Sequence, residues 1–177
     1  MRRRAAVTSA AGVLVLGSLA AAQLCGFRVN TTPSMPVGVW RVTLPPAADL
    51  RRGEVVTVCL PDGDAARLAA ERGYVPAGSC PDGREPLIKP VAAVAGDLVL
   101  VTRAGVSVNG IGVDGTAPLD RDTAGRPLRA FPSGTHKVQP GQVWLLAGVM
   151  RNSFDSRYYG PVAVESVQSV AHPVWVR

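Results

Sequence analysis

The first apolar block of the chain is its longest. Residues 5–27 carry no charge, and Val7, Val13, Leu14, Val15, Leu16, Leu19 and Leu24 supply the hydrophobic weight. Wound as a helix, these 23 residues would extend about 34 Å, enough to cross a hydrocarbon core of ~30 Å. The pattern predicts a transmembrane anchor over 5–27, preceded by a basic tail at 1–4. Arg2, Arg3 and Arg4 on the near side would hold the N-terminus in the cytoplasm. Everything after Phe27 would then be exported. Ala20-Ala21-Ala22 offers the other reading, a cleavage site behind a secretory peptide, although such peptides usually have an apolar segment of roughly 7–15 residues.

Beyond the anchor the continuous run gives way to short alternating segments. Residues 37–44 set Trp40, Val42 and Leu44 against Val39, Arg41 and Thr43, the period of a strand, and Pro45-Pro46 ends it. Residues 54–60, Glu-Val-Val-Thr-Val-Cys-Leu, form a β-branched run entered through Gly53 and stopped by Pro61. Asp62-Gly-Asp64 then offers N-caps for a short helix over 65–72, closed by Gly73. Residues 86–94 are apolar except for one lysine, and residues 97–102 read as a strand. Residues 106–113 read as a hairpin about Asn109-Gly110, a pair that accepts the positive φ of a tight hairpin turn. Residues 115–140, rich in Gly, Pro, Asp and Arg, show no period and read as a long excursion, while 142–147 and 161–170 complete the strands. The fold class expected is mainly β, as coiled antiparallel sheets with one short helix. It forms a single exported domain over 28–177 behind a transmembrane helix.

Composition narrows this picture in two ways. Gly 19 and Pro 15 agree with a turn-rich β structure. Half of the net charge of +6 sits in the three N-terminal arginines. The remainder is weak and evenly spread, and no aromatic and basic residues interleave as a stacking platform would require, so nucleic acid is set aside as a partner. Three cysteines and two histidines, His136 and His172, show no ligand spacing. The sequence therefore points to no metal and no cofactor.

Cys59 and Cys80 bracket the short helix in the part expected to be exported, where oxidation is possible. Two readings stand: a disulfide, whose loop of about twenty residues would add roughly 3 kcal/mol, or two separate buried thiols. Cys25 lies at the end of the membrane segment and is left over.

Candidate chemistry gathers at three places. In Asn30-Thr-Thr-Pro-Ser-Met-Pro-Val-Gly38 a serine stands between two prolines. Ser34 is thus on a stiff non-helical turn, which suits either an ordinary loop or a rigidly held nucleophile. Lys89 is the only charge in Pro86-Leu-Ile-Lys-Pro-Val-Ala-Ala-Val-Ala95. If buried, its pKa falls and its amine becomes a usable base; if it snorkels from a sheet edge, it remains an ordinary ammonium. Ser153-Phe-Asp-Ser-Arg-Tyr-Tyr-Gly160 is a dense polar and aromatic segment between apolar strands, the composition of a loop that carries function. Neither His136, in the excursion, nor His172, beside Pro173, is a convincing base for a Ser-His-Asp triad.

Taken in order, these features resemble the membrane-bound signal peptidases that use a Ser-Lys dyad, and within them the conjugative-transfer, TraF-type branch. The resemblance rests on the N-terminal apolar segment, Thr-Pro-Ser34-Met-Pro-Val-Gly, Ile-Lys89-Pro-Val-Ala-Ala-Val-Ala-Gly-Asp97, and Ser153-Phe-Asp-Ser-Arg-Tyr-Tyr-Gly-Pro161. It implies a signal-peptidase fold and a protein precursor as substrate, a pilin precursor in that branch. It also implies a place at the outer face of the inner membrane, in contact with lipid. Ser34 would attack the scissile carbonyl, and neutral Lys89 would take its proton and later activate the deacylating water. The Ser34 N–H and the Thr32 hydroxyl would stabilise the oxyanion. Ser153 would hold the lysine amine, Asp155 and Arg157 would brace the loop, and Gly96-Asp97 would form the turn after the lysine strand.

The departures also carry information. Housekeeping signal peptidases resemble one another in a basic residue after the lysine and a Gly-Asp-Asn stretch before the last motif. Here those places hold Pro90 and Gly148-Val-Met-Arg-Asn152. That favours the specialised branch over a general type I enzyme of the secretory pathway. Two further readings compete: a non-enzymatic, anchored β-domain of an envelope assembly, and a self-cleaving Ser-Lys regulator of the LexA type. The latter would carry a DNA-binding domain where this chain has an apolar segment.

Overall fold

The computed structural model describes residues 16–18, 20–44 and 50–177. Eleven strands form two antiparallel sheets. The larger has seven strands in the order β1-β2-β11-β3-β4-β9-β10: β1 (Phe27–Asn30), β2 (Gly38–Thr43), β3 (Val55–Val58), β4 (Leu87–Ala93), β9 (Gln142–Leu145), β10 (Val162–Ala163) and β11 (Val167–Val176). The smaller runs β7-β6-β5-β8, made of β5 (Leu98–Thr102), β6 (Gly105–Val108), β7 (Ile111–Val113) and β8 (Gly134–Lys137). Two short α-helices interrupt them, α1 (Asp64–Glu71) and α2 (Ser156–Tyr159). The class is mainly β, and among the described residues after Phe27 there are two short α-helices where one was expected.

Strand β9 joins the two cores by simple alternation. Val143 and Leu145 enter a cluster with Val56, Val58 and Val91. Trp144 and Leu146 enter a second cluster with Ala93, Val99, Val101 and Val106. Each such side chain contributes about 1.5–3 kcal/mol on burial. Strand β4 also serves both clusters, because its register against β9 shifts between Val91 and Ala93. A bulge of this kind re-aims the side chains that follow it.

Several expected elements hold with adjusted ends. The hairpin turns on Asn109 and Gly110, both at positive φ (51° and 82°). Helix α1 starts without either aspartate as cap: its N-cap is Gly63, with no side-chain hydrogen bond. Asp64 falls in the first turn and pairs with Arg67 instead. Its end is a Schellman motif, with Gly73 N–H donating to the Ala70 carbonyl and Tyr74 N–H to the Ala69 carbonyl.

Three expectations need correction. The excursion stops short of residue 140, because β8 pairs with β5; Gly-Thr-His-Lys offers no apolar alternation by which to foresee an edge strand. The strand expected over 161–170 is broken by a 3-10 turn at Val164–Ser166 and then continues to Val176. The helix at the N-terminal end gives way at residue 24, and β1 begins at Phe27, inside the segment expected to be anchor. Residues 1–15 and 19 lie outside the described residues, and among the described residues no helix is long and apolar enough to cross a membrane.

Candidate active site

Ser34 stands on the connection between β1 and β2, and the prolines determine how that connection is held. Pro33 and Pro36 have no N–H, so the loop lacks backbone donors at two of its positions. One side chain replaces the missing bonds. Asn30, buried at the end of β1, donates its amide to the carbonyls of Thr32 (2.9 Å), Met35 (3.0 Å) and Pro36 (3.1 Å). Its Oδ1 accepts from the Thr32 N–H (3.1 Å) and the Thr32 hydroxyl (2.8 Å). The Pro36 carbonyl also accepts from the Trp40 indole at 3.0 Å. Met35 is buried with Trp40 and Ala171, which seats the loop on the sheet. At Gly38, φ is +143° and a Cβ would lie 2.1 Å from the Trp175 carbonyl, so only glycine lets β11 pass this close behind the loop.

Lys89 arrives from β4. It is buried in step with Val91, ahead of the bulge, pairs in register with Val56 of β3, and is 3 % exposed. Its Nζ lies 3.0 Å from Ser34 Oγ. Burial lowers its pKa from 10.5 to about 8; nearby Asp155 opposes that fall and Arg157 adds to it. Lys89 is thus the buried amine of the two readings, not a snorkelling one. The turn after its strand is as expected: the Asp97 N–H donates to the Val94 carbonyl across Gly96, and the Asp97 carboxylate accepts from the Val94 N–H.

The segment from Ser153 to Gly160 packs beneath the lysine as α2 and its N-cap. Asp155 caps the helix, accepting from the Arg157 N–H, and binds the Arg157 guanidinium through both oxygens at 2.8 Å. Neither residue is exposed. The remaining Arg157 donors reach the carbonyls of Gly115, Ala147 and Arg151, and Asp155 also accepts from the Ala147 N–H. A buried ion pair whose other hydrogen-bonding groups are all met fixes the segment.

Two expected contacts differ. Ser153 is buried but its hydroxyl has no hydrogen-bond partner among the described residues, so it does not hold the lysine amine here; the amine's hydrogen bond goes to Ser34. Thr32 Oγ1 lies beside the nucleophile, 3.4 Å from Ser34 Oγ, but its own proton is given to Asn30.

Asn30, Thr32, Ser34, Lys89 and Ser153 line one cavity of about 770 Å³. One wall is the segment between Cys59 and Cys80, which are joined as a disulfide over 21 residues. Another is the excursion, pinned by Asp122, which accepts from Tyr74 (2.6 Å) and Arg126 (2.8 Å) and pairs with Arg72 (3.3 Å). His136 packs against Phe131 and Trp144, and His172 lies on β11 opposite Arg41; neither lines the cavity. Sequence reasoning passed over two residues. Asn30 showed only as an Asx residue ahead of a proline-rich turn, and Asp122 as one of several charges in an aperiodic stretch.

The family model of signal peptidase, peptidase S26, matches residues 2–176. The chain is 37 % identical over 174 residues to a plasmid transfer protein TraF of Escherichia coli, covering 98 % of this chain and 96 % of that one. It is 41 % identical over 164 residues to a probable conjugal transfer protein TraF of Sinorhizobium fredii, covering 90 % and 82 %. Among solved structures, a signal peptidase I from Enterococcus faecalis matches with a TM-score of 0.38 at 18 % identity, over 69 % of this chain and 96 % of that one. The chain belongs to the signal peptidase family, peptidase S26.

Proposed function

We propose that this signal-peptidase family member is a membrane-anchored serine endopeptidase with a Ser34–Lys89 dyad, cutting exported precursors after small residues. The carrying observation is the 3.0 Å approach of a nearly fully buried Lys89 amine to the Ser34 hydroxyl. Neutral Lys89 takes the Ser34 proton as Oγ attacks the scissile carbonyl, then gives it to the leaving amine. The acyl-enzyme is opened by a water whose proton Lys89 accepts, and collapse of the second tetrahedral intermediate returns that proton to Ser34. The oxyanion is met by the Ser34 N–H and, once its proton turns from Asn30, by Thr32. The unpartnered Ser153 hydroxyl, in the same cavity, is the group available to the ammonium form of Lys89.

Location at the outer face of the cytoplasmic membrane is supported by the uncharged residues 5–27 behind three arginines and by the disulfide, which belongs in an oxidising compartment. Ser34 follows Phe27 by seven residues, at most about 25 Å of extended chain. A precursor still tethered by its own apolar segment lies within that reach. The plasmid and conjugal transfer names of the relatives support a pilin-like precursor as substrate. The test is the product mass from candidate precursors incubated with membranes holding wild type, Ser34→Ala or Lys89→Ala. Cleavage by wild type alone is expected; wild-type rates in either variant would overturn the Ser34–Lys89 dyad, and no cleavage by the wild-type chain would favour a non-enzymatic envelope domain.

A further inference from the structure

Asn30 does more than close a turn. Five hydrogen bonds from one carboxamide reach three of the six residues that follow it, and they straddle Ser34 on both sides. The amide end faces three carbonyls and the oxygen end faces a backbone N–H and a hydroxyl, an arrangement that only a carboxamide satisfies. Asn30 is buried, and the two prolines leave the loop without backbone donors of its own at those places. The same oxygen sets Thr32. With the Thr32 proton given to Asn30, the Thr32 lone pairs face the Ser34 hydroxyl, 3.4 Å away.

We propose that Asn30 is a positioning residue of the catalytic site: its carboxamide holds the backbone on both sides of Ser34 and orients the Thr32 hydroxyl, keeping Ser34 Oγ within reach of Lys89 Nζ. The inference rests on Ser34 being the nucleophile. Its consequence is kinetic. Loosening the loop displaces Oγ from a lysine fixed independently by β4, and a displacement near 1 Å costs up to about 10²-fold in rate. Substrate binding along the rest of the cavity is untouched.

The experiment uses the full-length chain in detergent and a peptide with a small residue before the scissile bond. Active sites are counted by stoichiometric reaction with a serine-directed phosphonate, so misfolded molecules drop out of the rate. Asn30→Asp keeps the size and the acceptor but turns a carboxylate toward three carbonyls; Asn30→Ser is the milder change and serves if the first does not fold. Either variant is expected to lose about 10- to 100-fold in kcat per titrated site, with KM within about twofold. A kcat per site within twofold of wild type, or a loss wholly accounted for by fewer titratable sites, overturns the proposal. Ser34→Ala is run beside them. If it still cleaves, the assignment of the nucleophile fails; if it is silent while the Asn30 variants match wild type, only the role of Asn30 fails.

Discussion

Lys89 is held by a strand with hydrogen-bonded neighbours on both sides, whereas Ser34 is held by a loop whose bonds converge on one side chain. The lysine's place is set by long-range pairing: β3 on one flank, β9 on the other, and the fully buried Asp155–Arg157 pair nearby. The serine's place is set within eleven residues by two prolines, Asn30, and the seating of Met35 on Trp40. The difference separates two kinds of damage. Harm to the lysine half spreads into the fold, because the same strands carry both hydrophobic cores. Harm to the serine half stays local and shows in the rate.

The largest effect expected from this contrast is on the brace. Removing one member of a buried ion pair leaves the other uncompensated, so Arg157→Ala or Asp155→Ala should cost about 3–5 kcal/mol in urea denaturation. A loss under 1 kcal/mol would mean that the lysine half does not depend on the brace.

Next comes Lys89 itself. Its pKa is depressed from 10.5 to about 8, so below pH 8 folding carries an ammonium into a buried site, a cost of about 3 kcal/mol. Between about 8 and 10.5 the unfolded chain binds the extra proton, and stability rises with pH. Lys89→Met should therefore abolish cleavage, raise stability at pH 7 by an amount of that order, and flatten the rise between pH 8 and 10.5. Equal stability of variant and wild type across that window would contradict a neutral buried amine.

The disulfide should matter by roughly 3 kcal/mol through the closed loop of 21 residues. Because that loop forms a cavity wall rather than part of the dyad, Cys59→Ser with Cys80→Ser should raise KM more than it lowers kcat. The smallest effect belongs to Thr32→Val, about tenfold in kcat at unchanged KM, the size of one partial oxyanion contact.

How much of this was legible in the sequence follows the same division. Ser34, Lys89 and the 153–160 segment could be read because each breaks its local pattern: a serine between prolines, a charge in an apolar strand, a polar loop between apolar strands. Strand β8 could not, since an edge strand of Gly-Thr-His-Lys buries too little to alternate. Nor could β1, whose first residue, Phe27, is the last of the uncharged run and whose pairing to β2 is tertiary. The single-turn helix α2 is too short for any 3.6-residue period and exists by virtue of the Asp155 cap. Asn30 was hidden for a different reason. Asparagine before a turn is common, and only the folded loop shows three carbonyls converging on its amide. The partner of Ser153 was expected by resemblance, and among the described residues the hydroxyl stands unpaired.

The central claim is that a neutral, buried Lys89 draws the proton from Ser34. The pH dependence of kcat/KM for peptide cleavage, measured from pH 5 to 10 on the full-length chain, tests it most directly. The account predicts a rise through a single ionisation near pH 8, where Lys89 loses its proton, and a plateau above. Activity that stays level across the whole range, or a rising limb that survives in Lys89→Ala, would contradict it.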